Sequence, residues 1–66
     1  MSLSQYQLKC GIQNSIFMIS YYKKQIKTNP SIFLKMYLKS KYKDYNRYSM
    51  LIKDKNWILK NAQIKS

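Results

Sequence analysis

The sequence predicts an all-α chain: a helical hairpin, with helices over about 4–27 and 30–53, and a short helical extension around Trp57. Three observations carry this. The 66 residues hold one glycine, Gly11, and one proline, Pro30, whereas all-β folds need turn residues at short intervals. Apolar residues recur with a helical period on both sides of Pro30. The clearest turn signal, Thr28-Asn29-Pro30-Ser31, falls between these two stretches.

In the first helix, Leu8, Ile12, Ile16, Ile19, Tyr22 and Ile26 follow the spacing of one face. Gly11 lies inside this run and costs ~1 kcal/mol relative to alanine. It is expected to loosen the first turns or to admit another backbone. The opposite face carries Cys10, Phe17 and Tyr21. A surface helix normally shows one apolar stripe, so this one is expected to pack between its own domain and a neighbour, with Phe17 and Tyr21 as partner contacts.

The residue before a proline resists helical geometry, and proline suits the first helical position. A second helix is therefore expected from about Pro30, capped by Asn29 or Thr28. Leu34, Leu38, Tyr42, Tyr45, Tyr48 and Ile52 share a narrow arc of it. The tyrosines in Lys41–Tyr48 thus continue a leucine stripe, with apolar rings toward the core and hydroxyls toward water. Leu8, Ile12, Ile16, Ile19, Leu34, Leu38 and Tyr45 are the expected internal seam.

Lys35, Lys39, Lys43 and Arg47 are spaced by four and form a basic ridge opposite that stripe. Like charges at this spacing destabilise an isolated helix, and Asp44 is the only acid near them. Such a ridge calls for an anion, with Lys23, Lys24 and Lys27 near the turn as helpers. At the C-terminal end, Asp54 can cap a helical turn before Trp57, Ile58 and Leu59, either continuing the second helix or starting a third. Trp57 either closes the core or anchors in a partner's pocket.

Composition narrows the function. A domain this small buries too little surface for comfortable stability alone and usually needs a disulfide, a metal or a partner. Cys10 is the only cysteine and histidine is absent, which leaves the partner and predicts a chain ordered within a larger assembly. Thirteen basic residues face two acids, Asp44 and Asp54, for a net charge of +11; an anionic partner would relieve the self-repulsion. Twelve of the thirteen are lysine, and Lys, Asn, Ile and Tyr fill 32 of 66 positions. Codons rich in A and T encode all four, so part of this excess reflects genome composition. With no histidine or glutamate the usual general bases are missing. Cys10 lacks an activating partner, and one glycine cannot build a phosphate loop. No catalysis, cofactor, metal or small-molecule substrate is expected. The most apolar stretch, residues 16–22, is far short of the ~20 residues of a membrane span. The N-terminal residues do not resemble a secretory signal. The expectation is an intracellular protein, mitochondrial or cytoplasmic.

Three binding functions follow. The first is a structural RNA-binding protein, a small ribosomal or organellar-ribosomal component that neutralises phosphates of RNA, most simply rRNA. The second is an accessory subunit of a multiprotein complex, such as a mitochondrial membrane complex. Its lysines would then face anionic lipid headgroups, with Phe17, Tyr21 and Trp57 on neighbouring protein subunits. The third, ranked below both, is a phage or plasmid DNA-binding protein, disfavoured by helices too long for the usual helix-turn-helix and by scarce arginine. Within residues 17–46, Lys23-Lys24-Gln25, Pro30, Lys35-Met36 and Tyr45-Asn46 resemble the small basic ribosomal protein that lines the peptide exit tunnel. That family is richer in arginine and poorer in core residues than this chain, and the resemblance adds slightly to the ribosomal expectation.

Overall fold

The computed structural model of the chain describes residues 3–64. The order is α1 (Gln5–Thr28), α2 (Ile32–Leu51) and α3 (Lys55–Asn61). The first two pair as a hairpin and α3 folds back, giving a plate of 37 × 27 × 14 Å.

Each helix starts where a side chain can take over an orphan amide. The Ser4 hydroxyl accepts from Gln7 N–H at 3.1 Å, and the Gln7 side chain accepts from Ser4 N–H at 3.0 Å, a reciprocal capping box. The turn differs from the expectation that Pro30 opens α2 under an Asn29 or Thr28 cap. Asn29 instead ends α1, donating to the Gln25 carbonyl at 2.8 Å. The Thr28 hydroxyl donates back to the same carbonyl at 3.1 Å. Ser31 caps α2 by accepting from Phe33 N–H at 3.2 Å. The physical reason is that Pro30 holds Asn29 out of helical geometry, while the Ser31 hydroxyl caps one step later. Residues 29–31 are thereby left to reverse the chain.

α2 ends at Leu51, before the expected residue 53, because Ile52 turns extended and is buried at 2% exposure. A separate α3 then starts, with the Asp54 carboxylate accepting from Trp57 N–H at 3.1 Å. The reversal is tied to α1 by Lys53 N–H, which donates to the Gln5 side chain at 2.8 Å. It is tied to α2 by the Lys55 amine, which donates to the Ser49 carbonyl at 2.6 Å.

Leu8 and Ile12 of α1 meet Ile52 and Ala62 in one buried cluster, with Ile16, Tyr45, Tyr48, Trp57 and Ile58 packed on it. Burying each large aliphatic side chain contributes about 1.5–3 kcal/mol. The core therefore sits at the end of the hairpin away from the turn, where α3 closes it. Ile19 is buried further along α1, whereas no residue of α2 is buried. Of the expected seam, Ile16, Leu34, Leu38 and Tyr45 are half-buried, because two helices alone leave each other's flanks open. Two polar groups are handled locally. The buried Ser15 hydroxyl donates to the Gly11 carbonyl at 2.9 Å, and the Tyr45 hydroxyl donates to the Ala62 carbonyl at 2.8 Å.

Gly11 admits a side chain, not a backbone. A Cβ there would lie 3.0 Å from Tyr48 Cε2 and 3.1 Å from its Cδ2. In a helix, alanine would otherwise gain ~1 kcal/mol. The expected outcome in urea unfolding is that Gly11→Ala fails to stabilise the natural chain but gains about that amount in a Tyr48→Leu background; equal effects in both would refute the contact. Tyr45→Phe strands the Ala62 carbonyl and should cost about 1–3 kcal/mol in the same measurement.

Candidate nucleic-acid interface

All four ridge residues, Lys35, Lys39, Lys43 and Arg47, are exposed on α2. Four residues rise about 6 Å and turn about 400°, so the row runs about 18 Å and winds roughly 120° around the helix. It winds across the side of α2 opposite the Leu34, Leu38 and Tyr45 stripe. The ridge is thus a spiral track and not a straight stripe.

Its charge is uncompensated among the described residues. Asp44, the nearest acid in sequence and three residues before Arg47, lies 4.0 Å from Lys41. Asp54 lies 3.9 Å from Lys9 at the α3 junction. These pairs are partly exposed and contribute little stability. They do hold both acids away from the ridge. Two shallow depressions run beside it, one lined by Met36, Lys39, Ser40 and Lys43, the other by Lys43, Asn46, Arg47, Met50 and Leu51. Ile32, Met36 and Met50 are exposed at 71%, 61% and 81%, so the outer edge of α2 is basic in the middle and apolar toward both ends.

The helper lysines divide. Lys24 and Lys27 are exposed, Lys27 in the last turn of α1 where the helix dipole favours a cation. Lys23 is half-buried, its amine 5.6 Å from the Tyr42 ring centre, which engages it inside the hairpin as a cation–π contact. The expected partner residues also divide. Phe17 and Tyr21 are exposed on α1. Trp57 packs half-buried on the core, with the Lys9 amine 5.4 Å from its ring centre. Lys9 and Phe17 are eight residues apart, about 12 Å along α1, so Trp57 does not join Phe17 and Tyr21 in one patch.

Tyr21 is instead linked, through Tyr22 of the apolar stripe, to Tyr37, a residue to which the sequence alone assigns no role. The Tyr21 ring meets that of Tyr22 at 5.7 Å, and Tyr22 meets Tyr37 of α2 at 5.9 Å. Phe33 and Tyr37 are both exposed. The available signal was their spacing of four along the flank of the Leu34 and Leu38 stripe. Near the start of α1, a hydrogen bond with Cys10, and the thiol's charge when ionised, raises the exposed Tyr6 hydroxyl above its ordinary range. Among the described residues no helix is long and apolar enough to cross a membrane.

Comparison with known protein families, with curated proteins and with solved structures finds no match to this chain.

Repulsion along an unpaired ridge is strongest at low salt, where the Debye length is about 30 Å at 0.01 M against about 8 Å at 0.15 M. The free protein should therefore gain several degrees of Tm between those salt concentrations. Lys39→Gln/Lys43→Gln should raise Tm at low salt and flatten the dependence. A natural chain whose Tm falls with salt would contradict an unpaired ridge.

Proposed function

We propose that this chain is a non-catalytic, structural RNA-binding component of a ribonucleoprotein, most simply a small ribosomal protein of a mitochondrion or another AT-rich genome. The observation that carries the reading is the exposed track Lys35, Lys39, Lys43 and Arg47 with both acids turned elsewhere. A track of this kind suits a polyphosphate backbone, which needs neutralisation and positioning without a base code. Lys24 and Lys27 extend the basic surface around the turn. One arginine among thirteen basic residues argues for phosphate neutralisation over base reading, since arginine supplies the planar fork that reads base edges.

A second reading has its own support. Ile32, Phe33, Met36, Met50 and Leu51 are large apolar side chains exposed along the outer part of α2, more than phosphate contact uses. They suit an accessory subunit seated on neighbouring protein subunits, with lysines toward anionic headgroups at about 1 kcal/mol each.

Co-sedimentation of the tagged chain from a detergent-solubilised native lysate separates the two. The RNA reading expects migration with a large particle, loss on RNase treatment and stepwise loss with salt. Lys39→Glu/Lys43→Glu should remove most of the particle-bound fraction. Migration that ignores RNase and survives the double reversal would replace this reading with the accessory subunit.

A further inference from the structure

The turn end of the hairpin carries an aromatic site distinct from the basic track, and we propose that it stacks unpaired bases, so that the RNA bound is single-stranded. This rests on the RNA reading and names its substrate class. The site is built from both helices. Tyr22 of α1 is half-buried and bridges Tyr21, at 5.7 Å and 68° between ring planes, to Tyr37 of α2, at 5.9 Å and 35°. The outer rings stay open, Tyr21 at 48% exposure and Tyr37 at 52%. Phe17 and Phe33, each four residues before one of these tyrosines and so its neighbour on the helix surface, are exposed as well. α3 packs at the opposite end of the hairpin on Leu8, Ile12 and Ile52, and leaves this one uncovered.

Charge selects the occupant. Lys24 follows Tyr21 by three residues and is exposed, so a cation borders the α1 side of the aromatic row; on the α2 side Lys41 follows Tyr37 by four but is paired with Asp44 at 4.0 Å. The plate is 14 Å thick and the Debye length is about 8 Å at physiological salt. Anything seated on this face therefore feels chiefly its near cations, Lys24 among them, and not the whole +11 of the chain. A neutral apolar protein surface brings rings or aliphatics but no counter-charge. An unpaired nucleotide brings a flat π-face and a phosphate together. A duplex keeps its bases stacked inside and offers those faces only at its ends, whereas single-strand binders combine a basic track with exposed aromatic rings.

The test is fluorescence anisotropy of the full chain with two labelled probes, an oligouridylate of about 12 nucleotides and an RNA duplex of similar length, at salt from about 50 to 200 mM. The natural chain should bind the single strand more tightly. Tyr21→Leu/Tyr37→Leu, which keeps apolar bulk against Tyr22, should weaken the single strand about fivefold or more. It should leave the duplex affinity and the salt slope unchanged. Tyr21→Phe/Tyr37→Phe, which keeps the rings, should restore the preference, and helical circular dichroism equal to that of the natural chain guards against misfolding. Equal affinity for both probes, or indifference to the leucine variant, would overturn the stacking site while leaving the RNA reading intact. Failure to bind either probe would remove both. If the leucine variant keeps its single-strand affinity but loses its place in the native particle, the face belongs to a protein and the proposal is wrong.

Discussion

The fold depends on the return of α3 across the open end of the hairpin. Even with α3 in place no residue of α2 is buried, because a pair of helices so thin cannot exclude water from both flanks. The reversal at Ile52–Asp54 instead closes one end of α1. Ile52 drops into the core, Asp54 caps the new helix, and Ala62 and Trp57 arrive over Leu8 and Ile12. The Tyr45 hydroxyl then takes up the carbonyl of Ala62, joining the end of α3 to the middle of α2. Three further ties hold the same corner: Gln5 on Lys53, Lys55 on Ser49, and Lys9 against both Asp54 and Trp57. Remove the return and the apolar stripe of α1 loses its cover. The Ser49 hydroxyl, buried and without a hydrogen bond, is a local cost of closing this end so tightly.

That closure divides the molecule along its length. One end has a core, polar ties and both acids. The other end has a turn, half-buried leucines, a ring-to-ring row and a lysine over Tyr42. Local stability follows buried apolar contact, so the turn end should open more readily than the core end. It also carries more of the exposed aromatic surface, while the basic track starts beside it and runs along α2. Exposed aromatic surface is thus concentrated where the chain's own packing is thinnest, an arrangement that the proposed RNA partner would help to order.

The sequence made the α1 start, the third-helix cap and the ridge legible because each depends on residues three or four apart. Asp54 before Trp57 and the row from Lys35 to Arg47 are local patterns; the Ser4–Gln7 cap is local too, though apolar spacing alone set the expected α1 start. The start of α2 was misplaced because proline at a helix start competes with a good cap just after it. Periodicity does not weigh the Ser31 hydroxyl against the ring of Pro30. Leu34 and Leu38 were placed in a full core because their stripe is regular, but burial depends on what covers a stripe, and α3 covers only the far end. Ala62 carried no periodic signal, being one small residue past a seven-residue helix. The aromatic site was invisible for a related reason: Tyr22 and Tyr37 are fifteen residues apart and meet only once the hairpin pairs. Tyr21 and Phe17 had been marked, but the residue that makes them part of a larger surface lies on the other helix.

Codon bias toward A and T and selection by the proposed anionic partner would both enrich lysine. Codon bias supplies lysine, but it does not decide where the remaining acids sit. Asp54 caps α3 through Trp57 N–H, a role that asparagine or serine could also fill. Asp44 pairs with Lys41 at 4.0 Å, partly exposed and next to Tyr45 in sequence. Neither acid occupies one of the four track positions. With only two acids in the chain, their absence from those positions is no sign of selection by itself. What bears on the proposal is that four like charges at a spacing of four repel and give the isolated helix nothing, a cost that the proposed anionic partner would offset.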